Sequence, residues 1–226
     1  MSDGVTKAYL EPKDRFSTSP ALVDQLRLML AVDCMRASLR WFKMTKDDDT
    51  GIGKQDNLIA IMAMAGWTWE CINTIRKGIK KKWLCRDMIV DDGKALGAWD
   101  RYILEGSSKE LVKRVERIRN GCFGHWDPKP ANKCISRLSS RDYEVPFIES
   151  QGDGFLNTRY PWAYDVIAGE LVGAMPGDVE EPYIADKWKQ TIEEIADIST
   201  AILTLMSSLA HAMFKKSGLR LVEREG

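Results

Sequence analysis

Apolar residues recur every three or four positions along most of this chain, and that spacing admits little other than α-helix. The clearest run lies near the C-terminus. Trp188, Ile192, Ile195, Ile202, Met206, Leu209 and Met213 follow four-three steps, interrupted at Ser199. A period near 3.6 places them on one stripe of a helix, whereas a half-buried strand would alternate. Glu193, Asp197, Thr200, Thr204, Ser207 and His211 form the opposite stripe, and Gly218 stands where a helix stop is expected.

Two further stretches read the same way. "STSP" offers Ser19 as an N-cap and Pro20 in the first turn. Val23, Leu26, Leu30, Cys34, Ala37 and Trp41 then form a stripe that is expected to be buried. "KDDDTGIGK" at 46–54 reads as a turn. A second helix is expected from Gln55 to Lys81, with Leu58, Met62, Ala65, Trp69, Ile72, Ile75 and Ile79 facing inward. Glu70, Asn73, Thr74 and Lys77 fall towards its other side. Two long helices joined by a turn predict an antiparallel pair. A shorter helix is expected over 93–105. A fourth follows "GSS", with Leu111, Val115, Ile118 and Cys122 on one face.

These elements predict an all-α, up-and-down helical bundle in a single domain over 1–226. Residues 1–19 read as a loosely held N-terminal arm. Residues 127–185 hold most of the prolines and show no helical period before "YPWAYDVIAGELVGAM". They predict an irregular insertion with a small β-hairpin near "YEVPFIE".

Composition narrows the function classes. Lys+Arg and Asp+Glu both number 33, so the net charge is zero. Nucleic-acid binding by bulk charge is excluded, and any such role must rest on a local patch. The five cysteines are scattered, with no CxxC pair. They read as reduced thiols, with no metal site and no disulfide framework. The start of the chain is polar and unlike a signal peptide, and the apolar runs carry regular polar residues. A cytoplasmic protein with no membrane partner and no cofactor is expected.

Several stretches invite a chemical reading. "TGIGK" lacks the first glycine and the final hydroxyl residue of a phosphate loop, and it follows a helix. "RKGIKKKWLCR" clusters Arg76, Lys77, Lys80, Lys81, Lys82 and Arg86 around Trp83. Singly these are solvated cations near a helix C-terminus, and together they offer a local phosphate patch. His211 reads as an exposed histidine unless its stripe lines a cleft. Cys122 and His125 stand too close in sequence to form the oriented pair that nucleophilic catalysis needs.

The strongest candidate is "RNGCFGHWD", residues 119–127, at the end of the fourth helix. Arg119 borders the buried stripe, where a partly desolvated guanidinium needs an anionic partner. Asn120 can orient a neighbour. His125 is one of only two histidines in the chain and titrates near neutral pH. Six residues turn a helix through about 600°, so Arg119 and His125 would diverge by about 120° in an unbroken helix. Gly121 and Gly124 permit a bend that brings the imidazole round. Such a pair suits phosphodiester cleavage without a metal. The arginine holds the phosphate and the histidine moves a proton for an attacking 2′-hydroxyl.

With Arg119, polar Asn120 and His125 in this helical setting, the chain resembles the HEPN superfamily, whose signature is an arginine, a polar residue and a histidine after a short gap. The resemblance implies a helical bundle and metal-independent endoribonuclease activity on RNA. It further implies a homodimer with facing motifs, and frequent roles in toxin–antitoxin, phage-defence or stress systems with an antitoxin or other protein regulator. By position, Arg119 and His125 would be catalytic and Asn120 supportive. Glu70 would face the motif, with Lys77, Lys80 and Lys81 beside it in substrate binding. Some members only bind. The alternative is therefore a catalytically inactive helical module for a nucleotide, RNA or a protein partner.

Overall fold

The computed structural model describes residues 7–10, 20–47, 51–104, 109–122, 149–150, 158–159, 181–216 and 221–224. Five α-helices dominate these residues: α1 (Pro20–Thr45), α2 (Gly51–Lys80), α3 (Gly93–Ala98), α4 (Lys109–Cys122) and α5 (Glu181–Lys216). The architecture is the all-α bundle expected from the periodicity. A five-residue connection reaches at most about 20 Å, whereas α1 is about 39 Å long, so α1 and α2 must run antiparallel.

α2 is the central element and packs against α1, α4 and α5. Its residues from Ala60 to Ala65 are buried on every side. Leu58, Ile72, Ile75, Ile195, Ile202, Met206 and Leu209 lie in the core as their spacing predicts. α2 and α5 hold stretches long and apolar enough to cross a bilayer by length and composition. Within the fold 67% of the α2 stretch is buried, against 39% of the α5 stretch. Ser199 is no defect in its stripe. Its hydroxyl lies 2.7 Å from Thr68 Oγ1, which also donates to the Met64 carbonyl at 2.7 Å. Cys71 is a packing residue as well: burial pushes its thiol up to about 12, and it donates to Met35 Sδ at 3.1 Å.

α1 reverses the expectation. Leu28, Val32 and Met35 face the core, with Leu39 and Phe42 packed beside them. Val23, Leu26, Leu30 and Trp41 are exposed, as is Ala37, while Cys34 is half-buried. The helix carries two apolar stripes of the same four-three period. Val23 and Leu28 are five residues apart, which turns them about 140° from each other. Periodicity alone cannot choose between such faces.

Other boundaries move for local reasons. α2 begins at Gly51, so Gly51–Lys54 of "TGIGK" form its first turn rather than a loop. At its other end Lys82 adopts a positive φ of 62°. The chain then reverses tightly over Gly78, whose carbonyl accepts from Trp83 N at 3.1 Å. A Cβ on Gly78 would sit 2.6 Å from Leu84 Cδ1, so any larger residue here would displace the buried Leu84 side chain. A 3-10 turn (Arg86–Ile89) follows. The helix expected over 93–105 is α3 continued by a wider π-helical turn, Trp99–Ile103. Asp92 caps α3 by accepting from Lys94 N and Ala95 N, and it accepts from Ser208 Oγ of α5 at 2.5 Å.

Four short strands complete the description. β1 (Lys7–Leu10) pairs antiparallel with β4 (Leu221–Arg224), Lys7 opposite Arg224 and Leu10 opposite Leu221. This pairing ties residues 7–10 of the arm expected over 1–19 to the C-terminal strand, and the rest of that arm lies outside the described residues. β2 (Glu149–Ser150) and β3 (Thr158–Arg159) pair antiparallel within the expected insertion, most of which lies outside the described residues.

Candidate functional site

The last turn of α4 points Arg119 at α2. Ile118 is buried in the core, so the next residue emerges at the edge of that interface. Arg119 Nε donates to Glu70 Oε1 at 2.7 Å, and Nη2 approaches the same oxygen at 2.6 Å. Nη1 donates to Asn120 Oδ1 at 3.1 Å. Two helices thus bring together Arg119, Asn120 and Glu70, three of the residues singled out from the sequence. The side chains of Arg119 and Glu70 are 25% and 34% exposed, so the pair sits in a half-buried seam open to water on one side. Three of the five guanidinium N–H groups are engaged. The other two, on Nη1 and Nη2, have no acceptor among the described residues.

His125 lies outside the described residues, as does the side chain of Cys122. The bend proposed for the "GCFG" segment and the Cys122–His125 pairing therefore have no geometry to report.

The lysines form a separate group. Lys77, Lys80 and Lys81 are exposed at the end of α2. Lys77 lies two turns beyond Glu70 on the same face, about 10 Å along the axis. Lys80 is rotated about 80° from that face. The broader basic patch is smaller than its sequence suggests. Arg76 lies over the Trp69 ring at 5.8 Å from its centroid. Arg86 forks onto Asp100, with Nε and Nη2 donating at 2.9 and 2.8 Å. That pair raises the pKa of Arg86 and holds the Asp100 carboxyl below its usual range. Trp83 packs against the core and is no open stacking surface.

α4 is tied to α5 by the Arg114–Glu194 ion pair, and Gln190 Nε2 donates to Glu194 at 3.0 Å. These bonds fix α4 between its neighbours and so hold the end that carries Arg119.

The sequence missed one feature. His211 is exposed, and it lines an open cleft of about 860 Å³ between the end of α5 and the turn before α3. Cys85, Asp91, Asp92, Ser208 and Lys215 share that cleft. The cue was present only as the position of His211 on the polar stripe; the opposing wall comes from residues near positions 85–92, far away in sequence. Among the described residues, no group of three or more His, Cys, Asp or Glu side chains could hold a metal ion. Compared with protein-family models, curated proteins and solved structures, the chain matches none.

Proposed function

We propose that this chain is a metal-independent endoribonuclease of the HEPN type, acting at the end of α4. The observation that carries the reading is the junction of Arg119, Asn120 and Glu70 across two helices. Glu70 holds one edge of the guanidinium and Asn120 holds Nη1, so the remaining N–H groups are fixed in direction before a ligand arrives. A preoriented guanidinium loses little freedom on gripping a phosphate and stabilises the charge that grows on it.

In the proposed reaction the ribose 2′-oxygen bonds to phosphorus and the 5′-oxygen leaves. A base takes the 2′ proton, and an acid returns one to the leaving oxygen. His125 fills one of these roles, and its copy in a facing second chain fills the other. The products are a 2′,3′-cyclic phosphate and a 5′-hydroxyl. Lys77, Lys80 and Lys81 would steer the RNA backbone along the end of α2. An antitoxin or another protein regulator would act by covering this seam.

The test is cleavage of RNA by the purified chain in EDTA. Cyclic phosphate ends are expected, with activity lost in Arg119→Ala and in His125→Ala. Cleavage that survives both substitutions overturns the assignment.

A second reading is favoured by one observation: most of the bonded donors of Arg119 are spent on Glu70. In that reading the pair is a brace between α2 and α4 in a non-catalytic module for a nucleotide, RNA or a protein partner. It predicts RNA retention without cleavage, unaffected by His125→Ala.

A further inference from the structure

The exposed stripe of α1 is too apolar for a face that stays in water. Leu26 is 53% exposed, Leu30 64% and Met44 83%, with Val23, Met29 and Trp41 also open. For side chains whose full areas run to about 150–250 Å², these six leave on the order of 600 Å² of apolar surface. That lies at the upper end of what monomers expose and near the ~800 Å² per partner of a standard interface.

We infer that this stripe pairs with the same stripe of a second copy, antiparallel across a two-fold axis. The pattern itself is self-complementary. Three pairs mirror one another about a midpoint between Asp33 and Cys34: Val23 and Met44, Leu26 and Trp41, Leu30 and Ala37; Met29, whose mirror Ser38 is buried, stands outside the pattern. A two-fold interface demands this property, because each residue meets its mirror on the other copy. The match is also one of size. The small Ala37 leaves room for Leu30, and the flexible Met44 lies over the shorter Val23.

Asp33 and Arg36 form an exposed pair at 3.7 Å on the rim of the stripe, beside its midpoint. Across the axis each Asp33 comes near its own mirror copy, and Arg36 of the same chain offsets its charge. Val23, Leu30, Ala37 and Met44 recur every seven residues, the repeat that keeps a helix seam facing a partner helix.

The pairing goes beyond the ribonuclease reading and does not depend on it. α2 packs against both α1 and α4 and separates them. An α1–α1 contact therefore leaves the two Arg119 clusters away from the axis, and any facing of the motifs would use another surface.

The experiment is light scattering on the full chain across a dilution series, beside Leu30→Glu. Leu30 is already exposed, so the variant should keep its helical circular dichroism. The expected result is an assembly whose mass is a whole multiple of twice the 25.6 kDa chain and is halved by the substitution. A short bismaleimide should also link two copies through Cys34, next to the axis, and Cys34→Ser should abolish that link. A chain that is monomeric throughout overturns the inference. So does a mass unchanged in Leu30→Glu, or cross-linking indifferent to Cys34→Ser. A monomer that floats with lipid vesicles would assign the stripe to a membrane surface and overturn it too. Loss of RNA cleavage is not among these readouts, so the two proposals fail separately.

Discussion

The Arg119–Glu70 pair has a measurable strength, and both readings of it depend on that strength. Arg119→Ala, Glu70→Ala and the double variant form a thermodynamic cycle. Charges about 4 Å apart attract by about 4 kcal/mol at an effective dielectric of 20, before desolvation and side-chain ordering are subtracted. Freely exposed pairs retain about 0–1 kcal/mol. Here two N–H groups converge on one carboxylate oxygen at 2.7 and 2.6 Å, and both side chains are mostly shielded. A net coupling of about 1–2 kcal/mol is expected, within the range of hydrogen bonds to charged groups. Urea denaturation reads it directly. In a domain of this size each kcal/mol moves the thermal midpoint by about 2–4 °C. Coupling below about 0.3 kcal/mol would mean that the pair does not hold in solution, and the argument for a preoriented guanidinium would collapse. Glu70→Gln then divides the readings. It keeps an oxygen for Nε to bond but removes the charge. If Glu70 positions Arg119 for RNA, cleavage falls while the fold stands. If the pair is only a brace, stability falls and nothing else changes.

The Thr68–Ser199 pair makes a sharper statement about the core. Thr68 spends its one proton on the Met64 carbonyl, so Ser199 must be the donor between the two hydroxyls. Thr68→Val, which strands that donor, should cost about 1–3 kcal/mol, and adding Ser199→Ala should recover part of it in urea titrations; strictly additive losses would refute the pairing. Asp92 contributes to the acid limit. Ser208 foremost, then the backbone N–H groups of Ala95 and Lys94, holds its carboxyl below the usual range. A depressed folded pKa contributes stability above the unfolded value near 3.9, and that contribution is lost as pH falls through the folded value. Asp92→Asn should flatten the decline of the thermal midpoint between about pH 5 and pH 2. Parallel declines in the two proteins would show that Asp92 is not the group responsible.

Helices were legible in the sequence because their cause is local. The four-three stripes of α2, α4 and α5 each report one buried face, and the structure buries those faces. Arg119 was legible for a related reason: it borders a buried stripe, where a guanidinium needs an anionic partner. Glu70 was singled out only through the resemblance, because its helical position placed it away from the buried stripe of α2. The β1–β4 tether was not legible. Lys7 and Arg224 pair across nearly the whole chain, and four residues carry no period that could announce it. The polar bond of Ser199 was hidden for the same reason: its partner is 131 positions away.

α1 is the instructive failure. Its two stripes have equal period and similar bulk, so the choice of inner face depends on what the rest of the chain offers. α2 and α5 accept Leu28, Val32 and Met35. Yet the stripe read first from the sequence remains strongly apolar at positions that a solvated helix would fill with charge. Periodicity reports that a face is shielded, not what shields it. A helix with one apolar face fits a monomer, whereas two opposed faces fit a helix lying between its own core and something else. The α1–α1 pairing supplies that second cover from within the same sequence, and its mirror symmetry about Asp33 and Cys34 is a property that a lipid surface or an unrelated partner would not require.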